Sequence, residues 1–143
     1  MPRITINVTN RPDIKMPSFT TEQMSSIGAF AIEVLKERNA TGIDIFDRPS
    51  EPLQPKYAKQ KERKGLQPIR DLRLTGNMLG SVQATETADD HVKIQVRGST
   101  PFRKGIFNQN IDPWFGLSPH DEQRLMNERV RPIFAKNVAD LNK

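Results

Sequence analysis

The sequence predicts an α+β fold: a small antiparallel sheet with a long N-terminal helix, a C-terminal helix, and long extended loops or arms. Two helical patterns, at residues 20–38 and after residue 118, lie on either side of alternating segments at residues 82–97. The segment of residues 39–70 has four prolines and no sustained apolar period. A length of 143 residues favours one domain, which we predict to span residues 1–143.

The chain begins with a predicted strand and a predicted helix. In residues 3–8, Ile4, Ile6 and Val8 alternate with polar residues, so they would share one strand face. Thr20 is a suitable N-cap for the helix over residues 20–38, and Gln23 completes a capping box. Asn39 and Gly42 supply its stop, and Gly28 is either a point of close approach or a tolerated glycine. Its apolar positions recur at helical spacing: Met24, Ile27, Phe30, Ala31, Val34 and Leu35.

The proline-rich segment is predicted to leave the body of the subunit. Compact domains rarely carry a structureless loop this long unless it is functional or disordered. We therefore predict that residues 43–70 are a projecting basic arm, with Leu53 and Tyr57 as anchors on a partner. Within it, residues 56–64 can form a turn or two of helix that ends at Gly65.

A short helix and a hairpin follow. Thr75 is placed to cap a helix over residues 76–81. In residues 91–97, Val92, Ile94 and Val96 alternate with polar residues, which indicates a strand with one buried face. Residues 82–87 supply the other strand, and residues 89–90 make the turn.

The last third of the chain combines an aromatic loop with a helix. We predict that Phe115 is buried in the subunit and that Trp114 lies at its surface or against a neighbour. The final helix begins at Ser118, with Pro119 in its first position. Pro132 should kink or interrupt this helix.

The net charge of +5 is local. Residues 56–73 hold seven basic residues against two acidic ones, so the rest of the chain is balanced. Such a patch indicates a docking surface for an acidic protein or a nucleic acid, or else a loop that lysine keeps soluble. The predicted interface residues are Leu53, Lys56, Tyr57, Lys59, Lys61, Arg63, Lys64 and Trp114.

Several functional classes find no support in the sequence. There are no cysteines, and neither His91 nor His120 has a second ligand at helical spacing, so no metal site or cofactor is predicted. No nucleophile elbow, P-loop or acid–base pair is present, so we predict no catalytic residues and no enzyme. No apolar run approaches the ~20 residues that span a membrane, and the N-terminus lacks a signal pattern. We expect a protein made in a cytoplasm, or built into a particle assembled there.

The order of motifs resembles that of a known family. Phe46-Asp47-Arg48-Pro49 follows the first helix, and Tyr57 stands among spaced lysines. Thr75-Gly76-Asn77-Met78-Leu79-Gly80-Ser81 precedes the hairpin, Gly105 lies in a polar loop, and Pro113-Trp114-Phe115-Gly116-Leu117-Ser118 enters the last helix. This order is similar to that of the phage virion-morphogenesis and tail-completion proteins, which include Mu-like morphogenesis proteins and siphophage tail components.

The resemblance implies a structural role without catalysis. Members of such families form rings at the neck, where head and tail meet, so the expected partner is a second copy in a ring of about six or twelve. Neighbouring neck, connector, tail-terminator or tail-tube proteins are further expected partners, with packaged DNA nearby. The expected location is the virion, after assembly in the host cytoplasm. The alternative function is a basic nucleic-acid-binding accessory domain.

Overall fold

The computed structural model describes residues 3–7, 18–68, 77–98, 109 and 113–141. The predicted α+β fold is confirmed. In chain order the elements are β1 (Ile4–Asn7), α1 (Thr21–Ala40), α2 (Pro55–Arg63), α3 (Asn77–Gly80), β2 (Val82–Thr87), β3 (His91–Val96), α4 (Pro119–Leu125), a π-helical turn (Met126–Val130) and α5 (Arg131–Leu141). Of the sequence predictions, those on Val8, Thr75 and Gly105 lie outside the described residues.

The sheet has three antiparallel strands in the order β1-β3-β2. The predicted hairpin is confirmed: Val92, Ile94 and Val96 are buried, and the polar residues between them are half-buried. The register shifts between Ala84 and Glu86, where an irregularity interrupts the pairing of β2 with β3.

Helix α1 begins as the sequence predicts. The hydroxyl of Thr20 accepts a hydrogen bond from the backbone N–H of Gln23, whose side chain accepts one from the N–H of Thr20. The helix packs on β2 and β3, and Gly28 makes this approach possible. A Cβ at position 28 would lie 2.7 Å from Cγ1 of Val92, so the close approach of another element is the reason for the glycine.

A second helical layer packs along α1. Helix α4, the π-helical turn and α5 follow one another without a break, and we call residues 119–141 the C-terminal helix. It runs antiparallel to α1, because contacts that advance along it move backwards along α1. The contact pairs, in order, are Asp121 with Arg38, Arg124 with Glu37, Arg129 with Phe30, and Asn137 with Gln23.

The disturbance predicted at Pro132 takes the form of a π-helical turn over Met126–Val130, and the helix continues through the proline. The N–H of Arg131 bonds to the carbonyl of Met126, five residues back, so the helix is widened just before the proline. Proline lacks an N–H, and its ring crowds the carbonyl four residues earlier. A π-helical turn is a common way for a helix to absorb such a disturbance.

Candidate interaction surfaces

A buried ion pair joins α1 to the loops that precede α4 and follow α1. Arg38 of α1 and Asp121 of α4 are 4% and 6% exposed, and Nε donates to Oδ2 at 2.7 Å. The rest of the guanidinium donates to the backbone carbonyls of Ile43, Trp114 and Gly116 at 2.8–3.0 Å. One side chain therefore ties α1, the loop after α1 and the loop before α4 together.

The surface position predicted for Trp114 is wrong, whereas burial of Phe115 is confirmed. Both are 3% exposed, and their rings meet edge to face with centroids 5.4 Å apart. Their backbone N–H groups both donate to the side-chain oxygen of Gln109, and Arg38 holds the Trp114 carbonyl. These bonds turn the loop inward, so Trp114 is part of the core and is withdrawn from the predicted interface.

Residues 42–50 form a loop held by hydrogen bonds, which we call the Phe46 loop. The carboxylate of Asp44 is buried and accepts hydrogen bonds from the N–H groups of Phe46 and Arg48 at 2.8 and 3.0 Å. The N–H of Ser50 donates to the carbonyl of Gly42 and closes the base. The N–H of Ile45 donates to Pro113 in the loop before α4, so the Phe46 loop is fastened to the body.

Asp47 makes a second contact between the Phe46 loop and the body of the subunit. It has φ of 59°, in the left-handed region that few side chains adopt, and its Oδ2 accepts from the backbone N–H of His120 at 2.9 Å. Burial raises the pKa of Asp47, but hydrogen bonds from the Ser118 side chain and the His120 backbone outweigh it, so the net pKa is lowered. The ionised carboxylate therefore holds the loop against the first turn of α4.

The tip of this loop presents an aromatic and a cation to solvent. Phe46 is 54% exposed, more than any other large hydrophobic side chain among the described residues. The guanidinium carbon of Arg48 lies 4.8 Å from the centre of its ring. In the sequence, Phe46 and Arg48 are notable only as members of the Phe46-Asp47-Arg48-Pro49 motif, and they are not among the predicted interface residues.

These contacts correct the predicted arm of residues 43–70. Its first part, residues 43–50, belongs to the Phe46 loop and lies against the body because Arg38, Pro113 and His120 bind it. The predicted turn or two of helix is confirmed as α2, and Gly65 after it has φ of 72°. Of the predicted anchors, Leu53 is half-buried and Tyr57 is 36% exposed.

Helix α2 has one basic face and one inward face. Lys56, Lys59 and Arg63 recur at the spacing that places them on one side of a helix, and all three are exposed, as is Lys64 just beyond the helix. Lys61 is different: it is 1% exposed, on the side that carries half-buried Ala58 three positions earlier. A surface role for Lys61 is therefore wrong, because its side chain is buried within the subunit.

Helix α5 leaves an apolar face in solvent. None of its 11 residues is buried. Phe134, Val138 and Leu141 stand at helical spacing on one face and are 36–43% exposed. The helix is held to α1 through Asn137, whose side chain bonds to Gln23 and donates to the carbonyl of Ser18. The sequence pattern did not indicate that Phe134 is 36% exposed in the folded subunit.

The titratable residues of the hairpin contact one another and stabilise the hairpin locally. His91 Nδ1 lies 2.7 Å from Asp90 Oδ1, and its Nε2 lies 3.4 Å from Glu86 Oε1. Hydrogen bonding to Asp90, and then to Glu86, raises the pKa of His91. Across the described part of the chain, no group of three or more His, Cys, Asp or Glu is arranged to hold a metal ion.

Two further observations concern the whole chain. Among the described helices, none has the length and apolar character that crossing a bilayer requires. Comparison with protein-family models, with curated proteins and with solved structures found no match.

Proposed function

We propose that this protein is a structural subunit of the phage neck, active in tail completion or head–tail joining, and that it forms a ring on the tail axis. The location at the neck is proposed from the order of motifs, which is similar to that of the tail-completion proteins. The observation that carries self-assembly is the apolar face of α5, where Phe134, Val138 and Leu141 remain 36–43% exposed.

The energetics of helices support this reading. Most helical stability in proteins comes from packing an apolar face against another element. In α5 that face remains 36–43% exposed at Phe134, Val138 and Leu141. A contact with another chain would bury it, and contacts between unlike surfaces close into rings when the rotation allows.

The second candidate is a basic nucleic-acid-binding domain, and the exposed face of α2 favours it. Lys56, Lys59 and Arg63 follow one another along about two turns and can neutralise successive phosphates. The same face suits an acidic protein surface equally well, and we propose the protein partner because the ring also explains α5. The two candidates differ in where the protein is found and in whether it binds duplex DNA with an affinity that weakens steeply with salt.

Mass spectrometry of purified virions of the encoding phage, with gold-labelled antibody to locate the chain, tests the proposal. We expect a fixed copy number per particle and label at the neck. Absence from particles, together with duplex DNA binding that weakens steeply with salt, would overturn the neck role and favour the second candidate. Replacing Lys56, Lys59 and Arg63 by glutamate should impair assembly in a salt-sensitive way while leaving the subunit folded.

A further inference from the structure

The Phe46 loop has the properties of a preorganised anchor. Its backbone is held by the Asp44 carboxylate, by the Ser50–Gly42 bond and by bonds to Pro113 and His120. Asp47 adopts an unfavourable positive φ to complete that frame. These hydrogen bonds hold the backbone so that Phe46 and Arg48 are exposed to solvent. Aromatic and arginine side chains fixed before binding are typical of the residues that dominate interfaces.

The apolar face of α5 offers a matching recess. Phe134, Asn137, Val138 and Leu141 stand at positions i, i+3, i+4 and i+7, the four-residue arrangement that receives one side chain in knobs-into-holes packing. Asn137 is half-buried and fixed by Gln23 and Ser18, so the floor of this hole is rigid. The three apolar members stay open to solvent.

Charge also suits the two surfaces to each other. Arg48 lies over the Phe46 ring and is 69% exposed at its side chain. The last turn of α5 carries Asp140 and no basic residue, while the exposed Lys136 lies one turn earlier and Lys143 follows the helix in the sequence. The carbonyl end of a helix is the negative end of its dipole, which attracts cations. A cation beside the knob thus faces a negative end beside the hole.

The two surfaces of one subunit lie too far apart to meet. Asp47, next to Phe46, is bonded to His120 at the start of the C-terminal helix. The 14 positions from residue 120 to residue 134 span roughly 20 Å, at about 1.5 Å per residue. Phe46 therefore reaches the hole of another copy and not its own, and a contact of that kind is head-to-tail.

We infer that Phe46 of one copy inserts between Phe134, Val138 and Leu141 of the next, with Arg48 against the C-terminal end of that α5. The inference rests on the proposed ring and names the contact that builds it.

Photo-crosslinking tests the contact directly. The full chain would carry p-benzoylphenylalanine in place of Phe46, and ¹⁴N- and ¹⁵N-labelled subunits would be mixed before assembly and irradiation. We expect adducts of mixed label on the peptide that holds residues 134–141. Adducts within one copy, or on another region of the neighbour, would overturn the inference. In a second experiment, p-benzoylphenylalanine would replace Val138. Crosslinks from this position to residues 8–17 of the same copy would also overturn the inference.

Truncation provides the energetic test. Phe46→Ala should weaken self-association about tenfold or more, whereas Met126→Ala, which also removes an exposed apolar side chain, should change it less than about twofold. Val138→Ala should also weaken it, and the double variant should be no weaker than the worse single variant. The melting temperature of the Phe46→Ala subunit should stay within about 3 °C of the original.

The possible failures are distinct. Rings that form normally with Phe46→Ala, or with crosslinks elsewhere, would end this inference and leave the proposed function standing. A wild-type chain that neither associates nor occurs in particles would end both.

Discussion

Replacing Arg38 by methionine should be among the most damaging single changes to the subunit. Methionine keeps much of the length of the side chain and removes the guanidinium. The Asp121 carboxylate, 6% exposed, would lose the Nε donor that lies 2.7 Å away. The carbonyls of Ile43, Trp114 and Gly116 would each lose a donor at 2.8–3.0 Å.

The magnitude follows from burial. Removing one partner of a buried ion pair costs about 3–5 kcal/mol, because the other charge stays desolvated without compensation. For a chain of this size, each kcal/mol lowers the melting temperature by about 3 °C, so the expected fall is roughly 10–15 °C. The loss should appear in both loops, since Arg38 binds the Phe46 loop and the loop before α4.

Urea unfolding followed by circular dichroism measures the loss, and Arg124→Met is the matched control. Arg124 makes an equally short ion pair with Glu37, at 2.6 Å, but its side chain is 32% exposed. Exposed pairs contribute about 0–1 kcal/mol. A small loss from both variants, similar in size, would refute the reasoning that burial makes Arg38 important.

Three further substitutions test other contacts in the subunit. Gly28→Ala should lower stability by about 1–3 kcal/mol in urea unfolding despite a better helix propensity, because the new Cβ meets Val92, and a Val92→Ala background should reduce the loss. Trp114→Ala should cost about 3–5 kcal/mol of unfolding free energy, and a folded, equally stable variant would contradict its place in the core. Because the pKa of His91 is raised in the fold, its stabilisation of the hairpin is fully present below the unfolded pKa and is lost as pH rises through the folded one. NMR titration should find that His91 pKa above its ordinary value, and His91→Gln should remove this part of the pH dependence.

Local signals in the sequence predicted much of the fold. Thr20 with Gln23, and Ser118 with Pro119, are start signals whose hydrogen bonds lie within three residues, and both helices begin there. The alternation of Val92, Ile94 and Val96 fixed the buried face of the hairpin. Such features need no knowledge of the rest of the chain.

The interaction surfaces depended on contacts between distant residues. Arg38 and Asp121 are 83 positions apart, and no local pattern pairs them. Arg38 also holds the carbonyl of the buried Trp114, a contact that no local sequence pattern reveals. Lys61 stands in a basic run like its neighbours, and only the packing of α2 separates it from Lys59.

Phe46 and the apolar face of α5 are exposed, whereas the sequence pattern alone would place such residues in the core. Both are apolar, and a sequence pattern assigns apolar residues to a core. Only the folded subunit shows that the backbone of Phe46 is held outward by Asp44 and Asp47, and that Phe134 remains 36% exposed. Exposure of this kind is a property of the assembled elements.

Cryo-electron microscopy of the purified full-length chain tests the central claim, self-assembly into a ring, most directly. End-on class averages should show closed rings of about six or twelve identical subunits, with each α5 covered by the neighbouring subunit. Class averages and mass measurements that show only a monodisperse monomer with α5 open to solvent would contradict the account.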